Sequence, residues 1–159
     1  MKNEKIIKQN STSVSIRKMC LEDYDRVYAL WLSCEGMGLN NIDDSQDGIA
    51  KYLRRNPETC FVAEKDGDLL GVILSGHDGR RGYIYHTAVK PSARGQGIGR
   101  RLVEAALQSL KKEGIIKVAL VVFERNQTGN QFWERLGFSL WEDLCYRNKA
   151  LTEIQRIDT

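Results

Sequence analysis

The pattern of hydrophobic and polar positions in the first third of the chain predicts one strand followed by two helices. Residues 14–19 alternate weakly, as a strand does. Behind two acidic residues, at 22 and 23, large side chains recur at helical spacing: Tyr24, Val27, Tyr28 and Trp31. After a glycine-containing loop at 34–41, Asp44 or Ser45 is placed to cap a second helix. The apolar face of that helix is Ile49, Tyr52 and Leu53.

Two aspartate–glycine turns in the middle of the chain predict three consecutive antiparallel strands. Asp66-Gly67 separates strand-like runs at 59–65 and 69–75, and Asp78-Gly79 leads into a third run at 82–89. A long helix follows, because the apolar positions from Ile98 onward keep to one stripe and Gly114 supplies a left-handed stop.

The last third of the chain predicts another strand, a short helix and further strands. Residues 117–123 form a nearly continuous β-branched run, as expected of a strand buried on both faces. The short helix contains Phe132 and Trp133 and ends at Gly137, and strand-like pieces at 138–151 precede a polar tail. The order βααβββαβαβ predicts a mixed α/β sheet in one domain over 1–159. We expect a core over about 14–151 and a loose arm at 1–12.

Composition favours a folded domain and argues against membrane, secreted and metal-binding classes. The 159 residues suit one domain, and 42% hydrophobic with 28% charged residues is in the globular range. No apolar stretch approaches the roughly 20 residues of a membrane span, and a secretory signal is absent, so we expect a cytoplasmic protein. Four scattered cysteines and two histidines predict reduced structural thiols and no metal site.

The net charge of +3 conceals two local fields. Basic side chains cluster around the glycines near residue 97, whereas acids gather near the front of the chain. The basic patch favours an anionic partner such as nucleotide phosphates, and the acids favour a cationic one. Without an interleaved aromatic platform, the basic patch does not predict a nucleic-acid partner.

A glycine cluster joins the strand at 82–89 to the long helix. Gly95, Gly97 and Gly99 let backbone N–H groups approach a ligand closely at a helix N-terminus, which favours a pyrophosphate. A tight turn without a ligand explains the glycines alone equally well. The chain has no Gly-Lys-Ser or Gly-Lys-Thr, so a P-loop is excluded. The spacing G-x-G-x-G also differs from the dinucleotide-binding G-x-G-x-x-G.

Four motifs in register resemble the GNAT family of N-acetyltransferases over about residues 14–140. Arg94-x-x-Gly97-x-Gly99 is similar to the family's acyl-CoA pyrophosphate loop, and Ala88-Val89-Lys90-Pro91 to the end of its fourth strand. Residues 118–123 followed by Asn126 are similar to its fifth strand and the next helix start, and 132–138 to its closing F-Y-x-x-L-G-F signature. Within the family, the chain is similar to bacterial ribosomal-protein-alanine acetyltransferases.

The resemblance implies a mostly antiparallel mixed sheet whose fourth and fifth strands splay apart to admit acetyl-CoA. The implied cofactor-binding residues are Thr87, Ala88, Val89, Arg94, Gly95, Gln96, Gly97, Ile98, Gly99, Arg100, Asn126 and Trp133. The main chain of 87–89 would pair with pantetheine, the amides of 95–100 would hold the pyrophosphate, and Arg94 would shape the loop. Lys90, Arg100 or Arg101 would meet the adenosine phosphates.

The implied activity is transfer of the acetyl group to a primary amine of a small molecule or a peptide N-terminus. A backbone N–H near Val89 is placed to stabilise the oxyanion. The candidates for proton transfer are Tyr85, His86 and Glu35, with Glu124 a weaker one. Strand alternation places Tyr83, Tyr85 and Thr87 on one face and His86 on the other, facing helix packing.

The chain departs from the family pattern at Trp133, the position where many members carry a tyrosine that acts as the general acid. Indole N–H does not release a proton, so Tyr85 or Tyr146 would substitute, or the thiolate would leave unaided. A non-catalytic acyl-CoA-binding module is the alternative function. We expect a monomer or homodimer whose partners are acetyl-CoA and an amine, without nucleic acid or membrane.

Overall fold

The computed structural model describes residues 13–157, so the arm expected at 1–12 lies outside the described residues. The strands are β1 (Ser15–Lys18), β2 (Leu39–Asn40), β3 (Phe61–Lys65), β4 (Asp68–His77), β5 (Gly82–Val89), β6 (Val118–Ala119) and β7 (Arg156–Ile157). The α-helices are α1 (Tyr24–Leu32), α2 (Gln46–Arg55), α3 (Ile98–Lys112) and α4 (Gln127–Arg135). Short 3-10 turns at Leu21–Asp23 and Pro91–Ala93 precede α1 and follow β5.

The main sheet has five strands in the order β1-β3-β4-β5-β6, and every pair is antiparallel except β5 with β6. The predicted hairpin turn is confirmed, since Asp66 and Gly67 both have positive φ, at 52° and 79°. The second predicted turn also lies where expected, between β4 and β5. The mixed, mostly antiparallel sheet flanked by helices is therefore the predicted fold.

Helices cover both faces of the sheet and form two separate cores. Trp31 and Val27 of α1 and Ile49 of α2 pack on one face against Val72 and other buried side chains. On the opposite face, the α3 side chains pack against Ile73 and Ile84. We refer to these as the α1/α2 face and the α3 face.

A β-bulge interrupts β5 at Tyr85 and His86. The pairs Ile73↔Thr87 and Ser75↔Ile84 leave one residue of β4, Leu74, opposite two residues of β5. The extra residue reverses the alternation of side chains along the strand. Ile84 therefore packs on the α3 face, whereas Ala88, four residues later, packs on the α1/α2 face.

The prediction for the last third was partly wrong. Only Val118–Ala119 of the run at 117–123 is in a strand, and Val121 is 57% exposed, because β6 forms an edge of the sheet with no described neighbour on its outer side. The strand-like pieces at 138–151 form no strand, and Leu140 is 83% exposed. The sequence also gave no sign of the short pairing of β2 with β7.

Within residues 13–157, no helix is long and apolar enough to cross a membrane. The four cysteines are free thiols, two of them buried. Burial raises the pKa of the Cys60 thiol to about 12, which suits a structural thiol. The same part of the chain holds no group of three or more histidine, cysteine, aspartate or glutamate side chains arranged for a metal ion.

Candidate active site

Strands β5 and β6 pair only at their first residues and then separate. The parallel pairing joins Gly82 to Val118 and Tyr83 to Ala119, and Gly82 N–H also donates to the Lys117 carbonyl at 2.9 Å. Beyond Tyr83, β5 continues to Val89 with β4 as its neighbour on the other side. The two strands thus form the expected V-shaped gap, whose β5 wall carries unpaired backbone groups.

Hydrogen-bond alternation decides which backbone groups face this gap. Lys90 N–H donates to the Leu70 carbonyl of β4 at 2.8 Å. Because backbone N–H groups alternate sides along a strand, the N–H of Ala88 also points toward β4. The N–H groups of Thr87 and Val89 point into the gap. The prediction that Ala88 offers its main chain to pantetheine was therefore wrong, and Thr87 and Val89 are the available residues.

The glycine loop ends in an open, uncapped helix N-terminus. Gly95 and Gly97 have φ of 76° and 78°, and a Cβ at either position would meet no atom within 4 Å. Gly97 is the N-cap of α3, with no side-chain cap, and its carbonyl accepts the first helical bond from Arg101 N–H at 3.1 Å. The N–H groups of the first turn, at 98–100, precede that bond and lack helical partners. This geometry suits an anion such as a pyrophosphate.

Some basic residues around the loop are already bound by other protein groups, and others are available to bind a phosphate. Arg94 Nε donates to the Val89 carbonyl at 3.1 Å, which ties the loop to the end of β5. The Lys90 ammonium is held by Asp68 at 2.7 Å, and Arg101 donates to the Val14 carbonyl at 2.9 Å. Arg100 is exposed and has no such contact among residues 13–157. Of the three cations predicted to meet the adenosine phosphates, Arg100 is the most available.

Aromatic side chains line the α1/α2 side of the gap. The Tyr83 and Tyr85 rings lie 4.5 Å apart between centroids, and Tyr52 of α2 packs edge-on against Tyr85 at 5.7 Å. Burial, and then the nearby Tyr146, raises the pKa of Tyr83 and of Tyr85. Both phenols therefore stay protonated at neutral pH and act as hydrogen-bond donors rather than bases.

His86 lies on the same face as these tyrosines, which corrects the alternation prediction. Its ring packs edge-on against Trp31 of α1, 5.0 Å between centroids, and its Nε2 lies 2.6 Å from Asp44 Oδ1. The β5 bulge is the reason, because it turns His86 and Tyr85 toward the same side. Thr87, predicted to share a face with Tyr85, is instead opposite Ile73 on the α3 face.

A family model described as "Acetyltransferase (GNAT) family" matches residues 24–138, well over half of the chain. The chain belongs to this GNAT family. The family resemblance indicated by the sequence motifs is confirmed, and so is the splayed sheet that it implied.

Individual GNAT relatives agree with this assignment. The chain is 30% identical to Acetyltransferase SG1711 of Sodalis glossinidius over 142 residues, covering 89% of this chain and 99% of that protein. The structure of the PaiA N-acetyltransferase from Thermoplasma acidophilum in complex with coenzyme A is similar, with a TM-score of 0.70 and 21% identity over 82% of this chain and 92% of that one. The ribosomal-protein-alanine N-acetyltransferase of Brucella melitensis has a TM-score of 0.63 and 20% identity, over 86% and 100%.

This GNAT protein is an acetyl-CoA-dependent acetyltransferase. Its own residues fit the cosubstrate. The uncapped N-terminus of α3 and the open space above Gly95 and Gly97 fit a pyrophosphate. The gap-facing edge of β5 fits the pantetheine amides, and the Thr87 hydroxyl is a buried group with no partner among the described residues. The bound cosubstrate supplies an activated acetyl group as a thioester.

Other predicted site residues fall partly within reach of the cleft. Asn126 caps α4 with its side-chain oxygen, which accepts from Gly129 N–H at 2.9 Å, so its amide nitrogen can still donate to a ligand. Trp133 lines the cleft and packs edge-on between Phe132 and Phe138. Glu35 is exposed in the turn after α1 and is not among the cleft-lining residues, whereas Tyr85 and His86 are.

The cleft is an open groove that runs along the gap between β5 and β6 and continues toward the start of α2. The sequence analysis took Asp44 as a possible helix cap and as one of several front-half acids, and it did not predict the pairing of Asp44 with His86. The signal that could have found it is weak, because Asp44 and His86 are 42 positions apart and only the fold brings them together.

Proposed function

We propose that this protein is an N-acetyltransferase that moves the acetyl group of acetyl-CoA to a primary amine of a small molecule or a peptide N-terminus. The observation that carries the proposal is the unpaired edge of β5, which ends at Val89 beside the uncapped N-terminus of α3. One site can thus hold the pyrophosphate, while the neighbouring strand edge directs the thioester into the gap.

Direct attack on the thioester accounts for the roles of these groups. The amine nitrogen forms a C–N bond with the acetyl carbon, the C–S bond breaks, and the sulfur leaves with the electron pair as a thiolate. After attack the nitrogen also gives up one proton to become the amide, which balances the proton that the thiolate gains. Val89 N–H faces the gap and would stabilise the negative charge that develops on the carbonyl oxygen. The protonated Tyr85 hydroxyl, on the same strand, is the candidate proton donor to the thiolate.

Charge on the acceptor side supports an ammonium substrate. Asp43 and Asp47 line the cleft near the start of α2, and neither has a cationic partner among residues 13–157. By contrast, Asp23, another acid of the front half, is neutralised by Arg17 and Arg26. The exposed Tyr85 ring offers a π-face to the same cation.

The test is release of CoA thiol from acetyl-CoA in the presence of a panel of amines that includes alkylamines, polyamines and short peptides. We expect acetyl-CoA to bind in calorimetry and at least one amine to be acetylated at nitrogen, with the product identified by mass spectrometry. Asp43→Asn should raise KM for a cationic acceptor and leave KM for acetyl-CoA unchanged. Binding without turnover for every amine would overturn the proposal.

A further inference from the structure

Asp44 is held in place from three sides at the start of α2. It is 4% exposed, and its Oδ2 accepts the backbone N–H of Asn40 at 2.7 Å. Its own backbone carbonyl accepts the Tyr24 hydroxyl of α1 at 2.9 Å. Ser45, the next residue, caps α2 by accepting from Gly48 N–H at 3.1 Å. The carboxylate therefore has one fixed position, and its free oxygen, Oδ1, points at His86.

His86 is fixed with equal precision. The 2.6 Å contact from Nε2 to Asp44 Oδ1 sets one edge of the ring, and the fully buried Trp31 packs against it. An ionised carboxylate only accepts hydrogen bonds, so Nε2 carries the hydrogen. In the neutral imidazole, Nδ1 then carries the free lone pair. No described group hydrogen-bonds to Nδ1.

The bulge in β5 places this ring on the acceptor side of the cleft. Both Asp44 and His86 line the cleft, and His86 is three residues before Val89, whose N–H faces the gap. The competing candidates are weaker: Glu35 is outside the cleft lining, and the Tyr85 phenol stays protonated. Glu124 lines the cleft but is an exposed acid beyond β6.

We propose that His86 and Asp44 form a proton-accepting pair for the acceptor amine, an assignment that rests on the proposed N-acetyltransferase function. Nδ1 of His86 takes a proton from the acceptor ammonium, and the nitrogen lone pair that is freed attacks the acetyl carbon. Asp44 is the positioning residue, since it fixes the ring and the tautomer and stabilises the imidazolium that forms. The proton then passes from His86 to solvent.

The tautomer can be read without knowing the acceptor. The chain has two histidines, so the His77→Gln variant leaves His86 as the single imidazole for ¹⁵N NMR. We expect the neutral ring to carry its proton on Nε2. In His77→Gln combined with Asp44→Asn, the side-chain amide can also donate, so we expect a mixture of tautomers. A wild-type ring protonated on Nδ1, or a spectrum unmoved by Asp44→Asn, would overturn the assignment.

Kinetics tests the proton transfer itself. With the amine acetylated in the panel as acceptor, we expect His86→Gln to lower kcat about 10²-fold or more, as for loss of a general base. Asp44→Asn should lower kcat about tenfold or more, and Asp44→Glu should recover part of that loss. Asp25→Asn, an exposed acid of α1 outside the cleft lining, is the matched control, expected to keep wild-type kcat.

A second acceptor separates a base from a structural residue. A hydrazide with the same carbon skeleton as the amine substrate is neutral at pH 7, so it needs no deprotonation before it attacks the thioester. The fold-decrease in kcat caused by His86→Gln should therefore be at least ten times smaller with the hydrazide than with the alkylamine. KM for acetyl-CoA should be unchanged with both acceptors. Equal losses on the two acceptors would overturn the role as base. If the wild-type protein acetylates neither acceptor, the proposed function fails, while the NMR result still decides the Asp44–His86 geometry.

Discussion

The Arg94 guanidinium reaches back from the glycine loop and donates from Nε to the carbonyl of Val89, the last residue of β5, at 3.1 Å. Its Nη2 lies 3.6 Å from the buried Cys34 sulfur after α1. One side chain therefore links the glycine loop to the end of β5 and to the turn after α1. If the loop holds the pyrophosphate as proposed, Arg94 sets its position relative to the strand edge.

Arg94→Ala should raise KM for acetyl-CoA about tenfold, because a hydrogen bond from a charged donor contributes about 1.5 kcal/mol. Arg94→Lys should recover little, since an ammonium cannot reach both acceptors with the geometry of a guanidinium. Steady-state kinetics and calorimetry with CoA measure the effect. Arg100→Ala, at an exposed residue without such contacts in the described part of the chain, is the comparison and should weaken CoA binding without changing the loop. If Arg94→Ala also weakens CoA binding while the loop keeps its wild-type conformation, direct phosphate contact and not loop shaping is the role of Arg94.

Gly97→Ala should weaken acetyl-CoA binding about tenfold. A φ of 78° costs an alanine about 1–2 kcal/mol. Relief of that strain would turn the N–H groups of the first turn of α3 so that they no longer point together at the pyrophosphate. Gly67→Ala is a matched control, because Gly67 has a φ of 79°, equally open surroundings and a place in the distant β3–β4 turn. Both variants should lose similar stability in urea unfolding, and an equal loss of CoA affinity would contradict the prediction.

Trp133→Tyr should leave turnover per folded molecule within about twofold of wild type and lower the free energy of unfolding by about 1 kcal/mol. The reason is that Trp133 packs between Phe132 and Phe138 at ring distances of 5.0 and 5.2 Å, where its size fills the space. Stopped-flow thiol release and thermal unfolding measure the two effects. A large gain in turnover would instead mean that a phenolic acid is missing from the wild-type site.

Asp23→Asn should reduce the free energy of unfolding by about 2 kcal/mol at pH 7, because Arg17 and Arg26 lose one of the two carboxylates that they share and keep only Glu64. Burial alone would raise the pKa of Asp23. Hydrogen bonds from Arg17, from the Cys20 backbone N–H and thiol, and from Arg26 outweigh burial and hold that pKa well below its usual range. A lowered folded pKa stabilises the native state above the unfolded pKa of about 3.9, and that contribution disappears as the pH falls further.

The difference between wild type and Asp23→Asn should therefore be constant from pH 7 to about pH 5 and shrink as the pH falls from about 4 toward 2. Urea unfolding at a series of pH values measures it. Asp25→Asn, two residues away and exposed, should change stability little at any pH. A pH-independent difference would show that packing around Asp23, and not its charge, is what the substitution removes.

Local signals in the sequence determined most of the elements and the glycine loop before α3. Turn residues and periodicity predicted β5 at Gly82–Val89 with its observed bounds, and the apolar stripe with Gly114 predicted α3. The glycine spacing predicted a loop whose backbone N–H groups are open to a ligand at the N-terminus of α3. These features depend on a few neighbouring residues, whose backbone preferences are set by their own chemistry.

Tertiary structure alone decided the acceptor side. The extra residue of the β5 bulge has no signature in strand alternation, because it appears only when β4 fixes the register from outside. That one residue turns His86 toward Trp31 and Asp44, and turns the Val89 N–H into the gap. Residues 138–151 have a strand-like pattern but are largely exposed, because they pair with no strand of the sheet. Sequence set what each segment could form, and contacts between distant segments set which groups face the substrate.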